Sequence, residues 1–215
     1  MNLSDNLLAE FPESLKYLKN IQTLDIGYNI IFIAISQIDS GVYDKNSNIE
    51  AIRLDGNHIS MMDGLFLRLS KLTWLNISDN LIKDFNFAMN PRTVQWLDIS
   101  HNKVQELSNY YDISSDLSMT YVNAGYNSIS ALASENVPDS IETFLVNDNN
   151  ISNLMPYTFL EKTRLNQVDL TVNNLTNISK TSIQVGKIVG SLQRPFFSLG
   201  GNHLLCDCQK LTSKI

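Results

Sequence analysis

Apolar and polar residues recur along this chain in one short unit. In Val94-Gln-Trp-Leu-Asp-Ile-Ser-His-Asn-Lys-Val104 the apolar residues take the first, fourth, sixth and eleventh positions, and Asn102 takes the ninth. Leu97 and Ile99 alternate with Trp96, Asp98 and Ser100, the period of a short strand with one buried face. The asparagine closes that strand, where the chain turns sharply. Its side-chain amide both donates and accepts, so it meets backbone groups that the turn leaves unpaired. Each such group costs about 1–3 kcal/mol when buried and unmet. The asparagine therefore reads as structural.

The rest of the chain is copies of this unit. Ladder asparagines stand at Asn6, Asn29, Asn57, Asn80, Asn102, Asn127, Asn149, Asn173 and Asn202, roughly 22 to 29 residues apart. The strand blocks ahead of them begin at Ile21, Ile49, Leu72, Val94, Met119, Ile141 and Leu165, with a degenerate last copy at Phe197-Ser-Leu199. This is the leucine-rich-repeat pattern L-x-x-L-x-L-x-x-N-x-L. It predicts an α/β fold: a curved, right-handed leucine-rich-repeat solenoid of about eight to nine repeats. A parallel β-sheet lines the concave face, and the convex side is irregular, 3₁₀ or short-helical. There, Phe66 and Phe159 each precede a strand and are expected to fill the gap between coils. Two connections are long, Phe32 to Ser47 and Ser179 to Pro195. They read as surface loops, the first carrying the turn formers Asp39-Ser-Gly41 and Asp44-Lys-Asn-Ser47. Each coil buries its apolar side only against its neighbours, so the stack has one long core and needs closed ends.

Composition narrows the function. The chain has 215 residues, 43% hydrophobic and 18% charged, enough for one domain with a substantial core. A formal net charge of −6 and the absence of a Lys/Arg run argue against a nucleic-acid partner. No apolar run is long enough to span a bilayer, and Ile30-Ile-Phe-Ile-Ala-Ile35 reads as buried core. Met1-Asn-Leu-Ser is not a secretory leader. The chain opens on the tail half of a repeat with no visible N-terminal cap, and so reads as a piece of a longer protein. His58, His101 and His203 sit beside ladder asparagines in separate coils and read as surface residues. Asp25, Asp98 and Asp169 share one outward strand position and read as a solvated acidic stripe. No phosphate-binding loop or serine elbow occurs. The expectation is no enzyme, no metal and no cofactor.

The strand residue just before the second core position runs Thr23, Ala51, Trp74, Trp96, Tyr121, Thr143, Gln167 down the stack. Successive coils thus place Trp74, Trp96 and Tyr121 at one register, about 4.8 Å apart. Exposed aromatics in a row are typical of interaction hot spots. The competing reading is that they pack on one another and only stabilise the sheet. Arg53, Asp98 and Asn123 flank them as candidate polar contacts. Candidate N-glycosylation sequons begin at Asn2, Asn76, Asn150, Asn174 and Asn177. Asn150 and Asn174 each follow a ladder asparagine, one coil apart on the same edge. Asn76 lies in a strand block facing the sheet's open side. The chain's two cysteines, Cys206 and Cys208, are too close to bridge each other readily, and a zinc site would need further ligands.

Several stretches go beyond a generic repeat: Trp96 to Tyr111, Ser140 to Ile151, Pro156-Tyr-Thr-Phe159, and Asn202-His-Leu-Leu-Cys-Asp-Cys208. Together they resemble the ectodomain of arthropod Toll receptors. The resemblance divides the chain into a solenoid over residues 1–204 and the truncated start of a cysteine-rich C-terminal flank over 205–215. In that flank Cys206 and Cys208 would each pair with a later cysteine, in an oxidising compartment. Such receptors are single-pass membrane proteins that bind a protein ligand or co-receptor outside the cell and dimerise to signal in innate immunity and development. The resemblance implies a cell-membrane, extracellular placement through a transmembrane segment absent from this chain. Two positions depart from the family: His203 stands where it has proline, and Gln209 to Ile215 replace its Trp-Leu run. An adhesion or matrix leucine-rich-repeat protein would share the flank and the sequons; an intracellular scaffold would not.

Overall fold

The computed structural model of the chain describes residues 1–12, 17, 20–32, 48–62, 64–187 and 194–205. Most of the first long connection, residues 188–193 of the second, and the flank with Cys206 and Cys208 lie outside the described residues.

Among the described residues twelve short strands carry the fold. They are β1 (Thr23–Asp25), β2 (Ala51–Arg53), β3 (Trp74–Asn76), β4 (Phe85–Asn86), β5 (Trp96–Asp98), β6 (Leu107–Ser108), β7 (Tyr121–Asn123), β8 (Ala131–Leu132), β9 (Thr143–Leu145), β10 (Asn153–Leu154), β11 (Gln167–Asp169) and β12 (Phe196–Ser198). Eight of them form one parallel sheet in the order β1-β2-β3-β5-β7-β9-β11-β12. Asn2 bridges Asp25, so the first residues of the chain extend this sheet.

Each strand of this sheet up to β11 turns one residue inward. Leu24, Ile52, Leu75, Leu97, Val122, Phe144 and Val168 are fully buried, and their flanking strand residues are not. Parallel sheets are ordinarily covered on both faces. Here none of the described residues covers the second face, because the described coils return to the sheet on one side only. On the far side β4 pairs β6 and β8 pairs β10, with 3₁₀ turns at Phe87–Met89, Ser114–Asp116 and Ser134–Asn136. No α-helix occurs among the described residues. Phe66, Phe87 and Phe159 fill the space between coils and are fully buried. The buried ammonium of Lys162 is paired, as burial of a charge demands, with Asp139 and the Ser134 carbonyl.

Ladder asparagines tie coil to coil. The Oδ1 atoms of Asn29, Asn57, Asn80, Asn102, Asn127, Asn149, Asn173 and Asn202 accept the backbone N–H of Leu8, Ile31, Ile59, Ile82, Val104, Ile129, Ile151 and Leu175 at 2.9–3.1 Å. Each acceptor reaches into the preceding coil, two residues past its ladder asparagine. The Nδ2 atoms donate in both directions: Asn80 bonds Leu54 O of the preceding coil at 3.0 Å and Ile77 O of its own at 3.2 Å. Asn6, at the start of the stack, is exposed and bonds only Leu3 O and Ser4 O of its own turn.

The residue before every ladder asparagine has a positive φ: Asp5, Tyr28, Gly56, Asp79, His101, Tyr126, Asp148, Val172 and Gly201. At Gly56 a Cβ would lie 2.6 Å from the Tyr28 ring, so glycine answers both conformation and space. Val172, with φ 52°, is strained, because a β-branched residue rarely occupies this region.

Candidate recognition face

The open face is built from the first and third residues of each strand. In register, the first position reads Thr23, Ala51, Trp74, Trp96, Tyr121, Thr143, Gln167 and Phe196. The sheet's strand spacing sets the ring spacing. Trp74 and Trp96 stack at 4.6 Å and 9°, and Trp96 and Tyr121 at 5.1 Å and 4°. All three side chains are half-buried. Their faces are spent on one another while their edges stay open, so self-packing and recognition are both served by one arrangement. Burial raises the Tyr121 phenol pKa above its ordinary value, and the neighbouring Asp98 carboxylate raises it further.

The third position reads Asp25, Arg53, Asn76, Asp98, Asn123, Leu145, Asp169 and Ser198. These side chains end the strands. Asp25, Asn76, Asp98, Asn123 and Asp169 each accept the backbone N–H two residues on, at 2.9–3.2 Å. The aspartates read from sequence as a solvated stripe are therefore half-buried turn acceptors. Asn123 also donates to Asp98 Oδ2 at 3.1 Å. Arg53 is held within the chain. It contacts Asp55 through Nε at 2.7 Å and Nη2 at 3.0 Å, reaches Asp25 at 3.5 Å, and lies 5.4 Å from the Tyr28 ring centre. The hydrogen bond to Asp55 is the main cause that raises its pKa, so the guanidinium stays charged.

Sequence reasoning did not single out Leu145 and Phe196 on this face. Leu145 occupies the register of Asn123, half-buried, and Phe196 the register of Gln167, 66% exposed. Counting back from the ladder asparagine locates Leu145 directly. Phe196 hides because its copy lacks the leading apolar residues.

The histidines are exposed: His58 stacks on Phe32 at 4.8 Å and His101 on Tyr126 at 4.2 Å. Among the described residues no group of three or more His, Cys, Asp or Glu is placed to hold a metal ion. No described helix is long and apolar enough to cross a membrane. Asn2, Asn150, Asn174 and Asn177 are exposed. Asn150 and Asn174 hold equivalent places, their N–H groups donating to Ile129 O and Ile151 O of the preceding coils. Asn76 is half-buried beside Trp74, its Oδ1 engaged by Ser78 N–H at 3.0 Å.

Comparison with known proteins agrees with this architecture. A family described as leucine rich repeat matches residues 47–104. Toll-like receptor 7 of Drosophila melanogaster is 34% identical over 154 residues, which is 72% of this chain and 11% of that receptor. The chain thus spans about a tenth of the length of the curated relative it matches. Among solved structures, the Leptospira interrogans leucine-rich-repeat protein LIC12759 superposes with a TM-score of 0.73 at 16% identity, over 98% of this chain and 57% of its own. The TLR13 chain of a complex with ssRNA13 superposes with a TM-score of 0.72 at 22% identity, over 94% of this chain and 28% of its own. The periodic core, the ladder and these relatives converge: the chain is a leucine-rich-repeat protein related to the Toll-like receptors.

Proposed function

We propose that the chain is a non-enzymatic protein-recognition module from the extracellular part of a Toll-type receptor, engaging a protein ligand or co-receptor through the open face of its sheet. One observation carries this reading: the Trp74–Trp96–Tyr121 stack stands half-exposed on a sheet face that nothing in the described chain covers. Aromatic rings concentrate binding energy at interfaces. The exposed sequons at Asn150, Asn174 and Asn177 suit a secretory route and a place on the extracellular side of the cell membrane. They suit an adhesion or matrix protein equally well, and a downstream signalling domain in the full reading frame separates the two. A related fold is known with single-stranded RNA. Here the carboxylates of the open face repel phosphate, which favours a protein partner.

The test is a screen of the purified chain against secreted and cell-surface proteins, run in parallel with Trp96→Ala. The reading expects partners whose binding falls about tenfold or more in Trp96→Ala with an unchanged circular dichroism spectrum. Partners indifferent to Trp96 would overturn it.

A further inference from the structure

We propose that the open face takes a basic protein segment, with an arginine side chain stacked on the outer ring face of Trp74 above Ala51. This rests on the recognition reading and names the chemistry of the partner.

The stack has two ends. Beyond Tyr121 the next residue in register is Thr143, and beyond Trp74 it is Ala51. Alanine contributes one methyl, so among the described residues no ring stands in register above the outer face of Trp74, which leaves a slot one strand wide. The long side chain at the other open-face position of the same strand, Arg53, is engaged elsewhere. Its guanidinium is drawn to Asp55, Asp25 and the Tyr28 ring, on the side away from Trp74. A flat group entering above Ala51 would meet the indole face at the spacing that already separates the rings, 4.6 Å.

Charge decides which flat group. Among the described residues, the strands of the open face and the residues directly flanking them carry Asp25, Glu50, Asp98, Glu142 and Asp169, against Arg53 as the one cation. Arg53 is neutralised by its own carboxylates, so the face as a whole is acidic. A guanidinium is planar, always charged and weakly hydrated, and it stacks on indole better than an ammonium does. It answers ring and charge together. A neutral aromatic would answer only the ring, and a nucleobase would bring phosphate to an acidic surface.

The chain carries its own reporter. It has two tryptophans, and both are in the stack. Titrating the purified chain with a hexa-arginine peptide is expected to change tryptophan emission saturably. Hexalysine should bind more weakly, and the neutral isostere hexacitrulline about tenfold more weakly or not at all. Ala51→Tyr fills the slot without adding a tryptophan, and should weaken hexa-arginine about tenfold with the fold intact by circular dichroism. Ala51→Ser leaves the slot open and should bind as the parent does. The proposal is overturned if hexa-arginine gives no saturable change, if Ala51→Tyr binds like the parent, or if oligothymidylate saturates the signal at lower concentration than hexa-arginine. Partners that depend on Trp96 but not on an arginine would refute this proposal and leave the recognition reading standing.

Discussion

Two columns of side chains run through the same coils. At the turn every copy has asparagine; on the open face the column beginning at Thr23 passes through alanine, two tryptophans, tyrosine, threonine, glutamine and phenylalanine. The turn is uniform because its side chain must donate and accept inside the stack. Only an amide of that length meets a neighbour's N–H and several carbonyls at once, as Asn149 does for Ile129, Ala124 and Val146. The face is varied because water satisfies whatever stands there. Chemistry on the solvated column is therefore free to serve recognition, and three large rings in a row there carry information that nine asparagines at the turn do not.

The largest effect should separate a buried ladder position from the end of the ladder. Asn149→Ala leaves the Ile129 N–H and the carbonyls of Ala124 and Val146 without their partner in a buried turn. At about 1–3 kcal/mol for each unmet group, a loss of about 3 kcal/mol or more is expected in urea unfolding. Asn6→Ala removes bonds confined to one exposed turn and should cost about 0.5 kcal/mol. Equal losses at the two positions would mean that the ladder acts within coils rather than between them.

A smaller effect tests the face column. Trp96 stacks on both sides and Trp74 on one, so Trp96→Ala should destabilise more than Trp74→Ala. The double-mutant cycle should give a coupling of about 0.5–1.5 kcal/mol. A coupling near zero would show that the strands alone hold the rings apart. The stack would then be a platform whose value lies wholly in binding.

How much of this is legible in the sequence depends on how far each feature's cause lies along the chain. The core positions and ladder asparagines follow from local periodicity, and Leu97, Ile99 and Asn102 are placed by counting. The left-handed residue before each ladder asparagine leaves a weak signal, glycine or aspartate at Asp5, Gly56, Asp79, Asp148 and Gly201, blurred by Tyr28, His101, Tyr126 and Val172. The turn-capping role of Asp25, Asp98 and Asp169 was masked by their outward register, which fits a solvated stripe equally well. Arg53 was harder still. Its link to Asp25 spans a whole coil, and period alone does not say which carboxylate of a neighbouring coil a long side chain selects.

The smallest effect is a titration that reads how closed the stack is. The Tyr121 phenol has a raised pKa, mainly from burial and secondarily from Asp98. Burial and a nearby negative charge both disfavour the phenolate. The folded chain therefore holds this proton more tightly than the unfolded chain does. The stabilisation is fully present below the ordinary tyrosine pKa of about 10 and is lost as pH rises through the folded value. Because the chain has eight tyrosines, the measurement is the phenolate absorbance difference between the parent and Tyr121→Phe. Asp98→Asn removes the lesser cause and should lower the Tyr121 midpoint only part of the way. Trp96→Ala uncovers one face of the ring and should lower it further. If Asp98→Asn lowered it more than Trp96→Ala, the ring would be open to water already, and the face column would be a row of separate side chains rather than a stack.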